Sequence, residues 1–140
     1  MVPGVYATRV FIGGVEQDLP TLRVIESIVT RKGCTPILAF DYKIPREETY
    51  RACIKLLLEC SKAVFEVSES GGQVYEIPKA FEFGVNPMLV ARSEPTFQGV
   101  SMLRTLCMQH RAKIVTYCDY EDLDLKISSY LNNNRPARSE

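Results

Sequence analysis

A chain of 140 residues with 46% hydrophobic content has room for one domain and enough apolar side chains to give it a core. Its 17 basic and 17 acidic residues cancel, which argues against nucleic acid or an anionic membrane as partner, because both are held by an excess of positive surface charge.

Val5 to Ile12 (VYATRVFI) is β-branched and aromatic and predicts a first buried strand, ending at Gly13-Gly14, where the backbone can approach a ligand or turn tightly. Asp18 as N-cap, Pro20 in the first turn, and Leu22, Ile25, Ile28 and Val29 at helical spacing predict a helix closed by Lys32 and Gly33. Thr35 to Phe40 predicts a second strand, with Asp41, Tyr42 and Lys43 in the loop beyond it. Pro45 and Glu47-Glu48 open a second helix whose apolar stripe is Tyr50, Cys53, Ile54, Leu57 and Leu58.

Ala63 to Val67 is the third predicted strand, and the run SESGG after it is a small-residue loop. A short helix from about Val74 to Phe83 follows, with Val74, Ile77, Ala80 and Phe81 inward, Gly84 at its end and Pro78 near its unpaired N-terminal donors. Pro87 to Ala91 predicts a fourth strand, Gln98 to His110 a fourth helix, Lys113 to Tyr117 a fifth strand, and Asp119 caps a last helix. The tail from Asn132 has no apolar periodicity and is expected to fray, leaving residues 1–131 as the domain. Met88, Met102 and Met108 read as core fillers.

Five short apolar strands alternating with helices indicate an α/β fold, an open parallel five-stranded sheet with helices on both faces. Right-handed crossovers favour the order 2-1-3-4-5, which puts a ligand crevice between the first and third strands. The five cysteines form no Cys-x-x-Cys pair and the chain has one histidine, so a metal cage is not expected. They read as small apolar residues of a reducing interior. Nothing in the sequence has the length of a membrane span or the pattern of a signal sequence, so a cytoplasmic protein is expected.

The side chains and backbone brought to the crevice by this order are Gly13, Gly14, Asp41, Tyr42, Ser68, Ser70, Gly71, Gly72, Glu76 and Arg92. Glu76 stands out. A carboxylate in a helix's first turn is stabilised by the dipole and should stay ionised, able to meet ribose hydroxyls or a cation developing at a sugar's anomeric carbon. An acid at a helix start is also common without any function.

The run AVFEVSESGGQVYEI and the opening RVFIGG resemble nucleoside 2-deoxyribosyltransferases, with their deoxynucleoside-monophosphate glycosidase and TIR-like relatives, over roughly residues 8 to 92. The resemblance implies a flavodoxin-like fold and a nucleoside or nucleotide as small-molecule partner. It implies N-glycosidic cleavage or transfer with Glu76 as the catalytic glutamate and Tyr75 as its neighbour. It further implies that Gly13-Gly14 form the first-strand turn, and that Ser68, Ser70, Gly71 and Gly72 form a loop for sugar or phosphate groups. No cofactor is implied. A homo-oligomer is, and Phe97 and Met102 are the expected contacts.

The sequence departs from the family at two places. Ile77-Pro78 follows the glutamate where the family has Leu-Gly. The second-helix aspartate of the family's glycosidase branch falls near Cys53, beside Tyr50 and Arg51, where no acid stands. Both departures leave open a non-catalytic nucleotide-sensing or interaction module of the same fold, while NAD cleavage would ask least of a site with one acid because nicotinamide leaves neutral.

Overall fold

Strand β1 (Arg9–Gly13) lies at the middle of the sheet, paired in parallel with β2 (Thr35–Leu38) on one side and β3 (Lys62–Glu66) on the other. β4 (Met88–Ala91) and β5 (Ile114–Thr116) complete the order β2-β1-β3-β4-β5, all pairs parallel. The computed structural model describes residues 8–96 and 99–132, with the side chain of Arg46 outside that set. The strands are apolar almost throughout because helices cover both faces of the sheet.

Alternation along each strand divides the core in two. Phe11, Ala63, Phe65, Leu89 and Ala91 face helices α2 (Thr49–Leu58), α3 (Gln73–Glu82) and α4 (Val100–Gln109), which contribute Cys53, Leu57, Ile77, Ala80, Leu103 and Cys107. Val10, Ile12, Val64 and Val90 face α1 (Leu19–Arg31) and α5 (Tyr120–Asn132), which contribute Leu22, Ile25, Ile28, Leu123 and Ile127. Each of the Val, Leu, Ile and Phe side chains among them contributes about 1.5–3 kcal/mol by leaving water. Phe11 and Phe65, with ring centroids 5.7 Å apart, join β1 to β3 beneath the crevice.

Several expectations are corrected at element ends. β2 stops at Leu38, and Ala39–Asp41 turn as a 3-10 helix that leaves Phe40 on the surface. A second 3-10 turn, Arg46–Glu48, precedes α2, which starts at Thr49 with Tyr50 and Leu58 outside the apolar stripe and exposed. Helix α3 starts at Gln73, because the Gly71 and Gly72 carbonyls already accept the Val74 and Tyr75 amides (3.1 and 3.0 Å). Pro78 therefore sits inside the helix rather than among the unpaired donors of its first turn. Asp18 occupies the N-cap position of α1 but makes no capping bond, its carboxylate being drawn to Arg92 instead.

Met88 is a core residue, but Met102 and Met108 are exposed. Asp119 caps α5 as expected, accepting the Asp122 amide at 2.8 Å. Residues 5–7 of the predicted first strand, Phe97, the start of the predicted fourth helix at Gln98, and the tail beyond Asn132 lie outside the described residues. Among the described residues no helix is long and apolar enough to cross a membrane, and no group of three metal-ligating side chains occurs.

Candidate functional site

β1 and β3 are neighbours, yet their outgoing chains turn to opposite faces of the sheet: the chain from β1 to α1, the chain from β3 to α3. That divergence opens a cleft of about 530 Å³ over their carboxyl ends. Its floor is Phe11 to Val15 from the end of β1 and Ser70, Gly71 and Gly72 from the loop after β3. Its walls are Glu16 and Gln17, Phe40, Tyr42 and Ile44 from beyond β2, Thr49 and Cys53 from α2, and Glu76 from α3.

Glycine at position 13 is set by space, not by a left-handed backbone. A Cβ there would fall 2.5 Å from the Phe65 ring and 3.2 Å from Glu76 Oε1, so the carboxyl lies directly over the end of β1. A Cβ on Gly71 would strike Val15 at 2.2 Å, so the two loops also touch there. Gly13→Ala is expected to push Phe65 and Glu76 aside and cost about 1–3 kcal/mol. Urea unfolding measures the cost, and a loss of ligand affinity larger than that of Gly84→Ala, at the surface, marks the effect on the cleft.

Glu76 is 8% exposed. Burial raises its carboxyl above the ordinary carboxylate range, and the Cys53 thiol, within hydrogen-bonding reach, pulls partly the other way. Removal from water thus works against the helix dipole, which favours the ionised form. The Cys53 thiol is in turn pushed up to about 12, by burial first and by Glu76 second, so it stays protonated.

Seven of the eleven residues singled out from the sequence line this cleft: Gly13, Gly14, Tyr42, Ser70, Gly71, Gly72 and Glu76. The other four sit elsewhere. Asp41 is outside, held by Arg23 through bonds of 2.7 and 3.0 Å. Tyr75 points to solvent, edge-on to Tyr50 with centroids 6.5 Å apart. Ser68 and Arg92 belong to a polar network on the opposite face of β3.

That network starts from Glu66, which is fully buried at the end of β3. Its carboxylate accepts the Ser68 amide and the Ser68 hydroxyl, both at 2.7 Å, and the Tyr117 hydroxyl. Burial and the adjacent Glu66 carboxylate push the Tyr117 phenol well up, so it remains a donor. Ser68 Oγ accepts the Arg92 amide at 2.9 Å. The Arg92 guanidinium donates to Asp18 at 2.8 Å and lies 3.7 Å from Glu66. Gln73 closes the loop, its Nε2 donating to the Glu66 and Glu69 carbonyls at 3.1 and 2.6 Å. Arg92 thus ties together the two loops that form the cleft floor, one through Asp18 and the other through Ser68 and Glu66.

Glu16, Glu66 and Gln73 were not expected at this end of the sheet. Glu66 had a signal: an acid inside an apolar strand needs buried partners. Glu16 had none, since its entry into the cleft depends on how the loop after β1 turns, and Cys53 was marked only by its match to a second-helix aspartate.

The chain was compared with known proteins. No family model matches it, and no curated protein matches it. Among solved structures it is similar to the CMP N-glycosidase BcmB of Clostridium botulinum, with a TM-score of 0.63 at 17% identity over 88% of this chain and 100% of that one. It is similar to a 2-deoxyribosyltransferase of Bacillus psychrosaccharolyticus, with a TM-score of 0.63 at 11% identity over 84% of this chain and 90% of that one. The solution structure of BlsM matches with a TM-score of 0.54 at 21% identity over 94% and 97% of the two chains. The chain has the fold of the nucleoside 2-deoxyribosyltransferase-like proteins.

Proposed function

We propose that the cleft binds a nucleoside-type small molecule and cleaves or transfers its N-glycosidic bond, with Glu76 at the anomeric carbon. The observation that carries the reading is the Glu76 carboxyl, buried over the Gly13 backbone at the point where β1 and β3 diverge. Two of the similar structures are an N-glycosidase and a deoxyribosyltransferase, which supports the same class of reaction here.

In this reading the C1′–N bond breaks with its electron pair going to the base, and positive charge spreads over C1′ and the ring oxygen. An ionised Glu76 stabilises that charge, or forms an ester bond to C1′ that a second base or a water molecule then displaces. Its partial desolvation strengthens the interaction with a cation more than with a neutral ground state. Phe40 and Tyr42 at the rim offer faces on which a flat base can rest. Ser70 and Thr49 supply hydroxyl groups for the sugar.

The test is to incubate the protein with nucleosides, nucleoside monophosphates and NAD and to separate the products by chromatography. Free base, or an exchanged base when a second one is supplied, supports the reading. Absence of both across the panel rejects it.

One observation favours a second reading, a sensor that binds without turnover. The position near which an aspartate was expected holds Cys53, whose thiol is a poor acid for protonating a departing base. Thermal stabilisation by a nucleoside with no base released over hours would select the sensor.

A further inference from the structure

The charge of the cleft narrows the substrate. Two carboxylates line it, Glu16 and Glu76, and among the described residues no lysine or arginine does. Lys43 sits between two lining residues, Tyr42 and Ile44, without lining the cleft itself. Two arginines near it, Arg92 and Arg23, are already committed to carboxylates. Arg92 is paired with Asp18 at 2.8 Å behind the floor, and Arg23 with Asp41 at 2.7 Å outside the rim.

A helix N-terminus often supplies a phosphate site where cations are missing. Here α3 opens at the cleft with Gly71 and Gly72, but Glu76 stands in its first turn. One Glu76 oxygen lies 4.0 Å from where a Gly72 Cβ would be and the other 3.2 Å from the Gly13 one, so a carboxylate already occupies the positive end. Glu16, in the 3-10 turn that leaves β1, is exposed and lines the same cleft, and none of the ion pairs among the described residues engages it. A phosphate carrying nearly two negative charges would share the cleft with both acids.

Resting on the glycosidic reading of the same cleft, we propose that the site selects an uncharged nucleoside over its 5′-monophosphate, and that Glu16 is the residue that rejects the phosphate. Glu76 is needed for chemistry at the sugar, whereas Glu16 has no part in bond breaking. It acts through its charge. Repulsion between an exposed carboxylate and a phosphate across a few ångströms of partly aqueous cleft gives roughly a tenfold preference at low ionic strength, shrinking as salt screens it.

Titration calorimetry with ribonucleosides, 2′-deoxynucleosides and the 5′-monophosphate of each tests this on the full chain. The expected result for the parent protein is nucleoside binding about tenfold tighter than monophosphate binding at low salt, with the gap narrowing at about 0.15 M. Glu16→Gln should narrow the gap at every salt concentration, and Glu16→Lys should reverse it, each read as the ratio of nucleoside to monophosphate affinity within the same variant. Because Glu16 is exposed, both variants are expected to fold, and their thermal transitions check this.

Monophosphate binding as tight as nucleoside binding in the parent protein overturns the inference and leaves the glycosidic reading standing. So does a preference for monophosphate over nucleoside. A gap unchanged in Glu16→Lys removes Glu16 from the selection. Binding of neither class overturns both this inference and the reading on which it rests.

Discussion

Glu76→Gln is expected to lower base release by a factor on the order of 10²–10³ or more, with little change in substrate affinity. The amide keeps the shape of the side chain and removes the charge that meets the sugar cation. Because burial raises the Glu76 carboxyl, the ionised fraction grows only as pH climbs above the ordinary glutamate range. The acid limb of the rate profile should therefore lie at higher pH than an exposed glutamate would give. The same shift fixes a stability effect of definite sign. Between the unfolded and the raised folded pKa, the folded state holds the proton that the unfolded state has lost, so stability falls as pH rises through this window. Glu76→Gln should accordingly be more stable than the parent protein near neutrality, and the gain should fade in acid below the unfolded carboxylate pKa. Rate profiles and urea unfolding across pH measure the two effects on the same samples. Base release that persists unchanged in the variant would remove Glu76 from the reaction.

Arg92→Met should destabilise the fold by about 1–3 kcal/mol, because it strips a cation from Asp18 and from the fully buried Glu66. The figure is held down by the exposure of Arg92, 45% of whose side chain remains in solvent. A fall in thermal midpoint of roughly 5 °C or more is expected. Asp18→Asn in the same chain should recover part of the loss, since it removes one of the stranded charges, and the two substitutions should therefore not add. Amide hydrogen exchange gives the more specific signature. The segments at 13–18 and 67–72 should loosen together in Arg92→Met, while α5 exchanges as before. Full additivity, or loosening of one loop alone, would show that Arg92 does not join them.

The fold was legible because every device that specifies it is local. Strand runs such as Phe11-Ile12 and Ala63-Val64-Phe65 are apolar on both faces, and Gly33 and Gly84 mark helix ends with φ of +83° and +80°. Strand order then follows from chain handedness. The site was legible only where backbone chemistry forced it. Gly13 and Gly71 stand where neighbouring side chains leave no room for a Cβ, and Glu76 follows Gly72 in the first turn of α3. Side-chain pairing between distant segments left no such trace. Arg92 projects from the same edge of the sheet as the cleft residues, and only the third dimension shows that Asp18, 74 positions away, claims it. Asp41 was read as facing the crevice, but a bidentate arginine turns it outward. Early termination of β2 likewise depends on the Ala39–Asp41 turn, which the β-prone sequence Ile37-Leu38-Ala39-Phe40 does not announce.

Tyr117 reaches from just beyond β5 to Glu66 beneath the loop after β3. A chain cut short before β5 would keep every residue that lines the cleft, together with four strands, and still lose the donor that steadies this loop from below. The edge strand most remote from the cleft is therefore part of the smallest unit that holds the cleft floor in place.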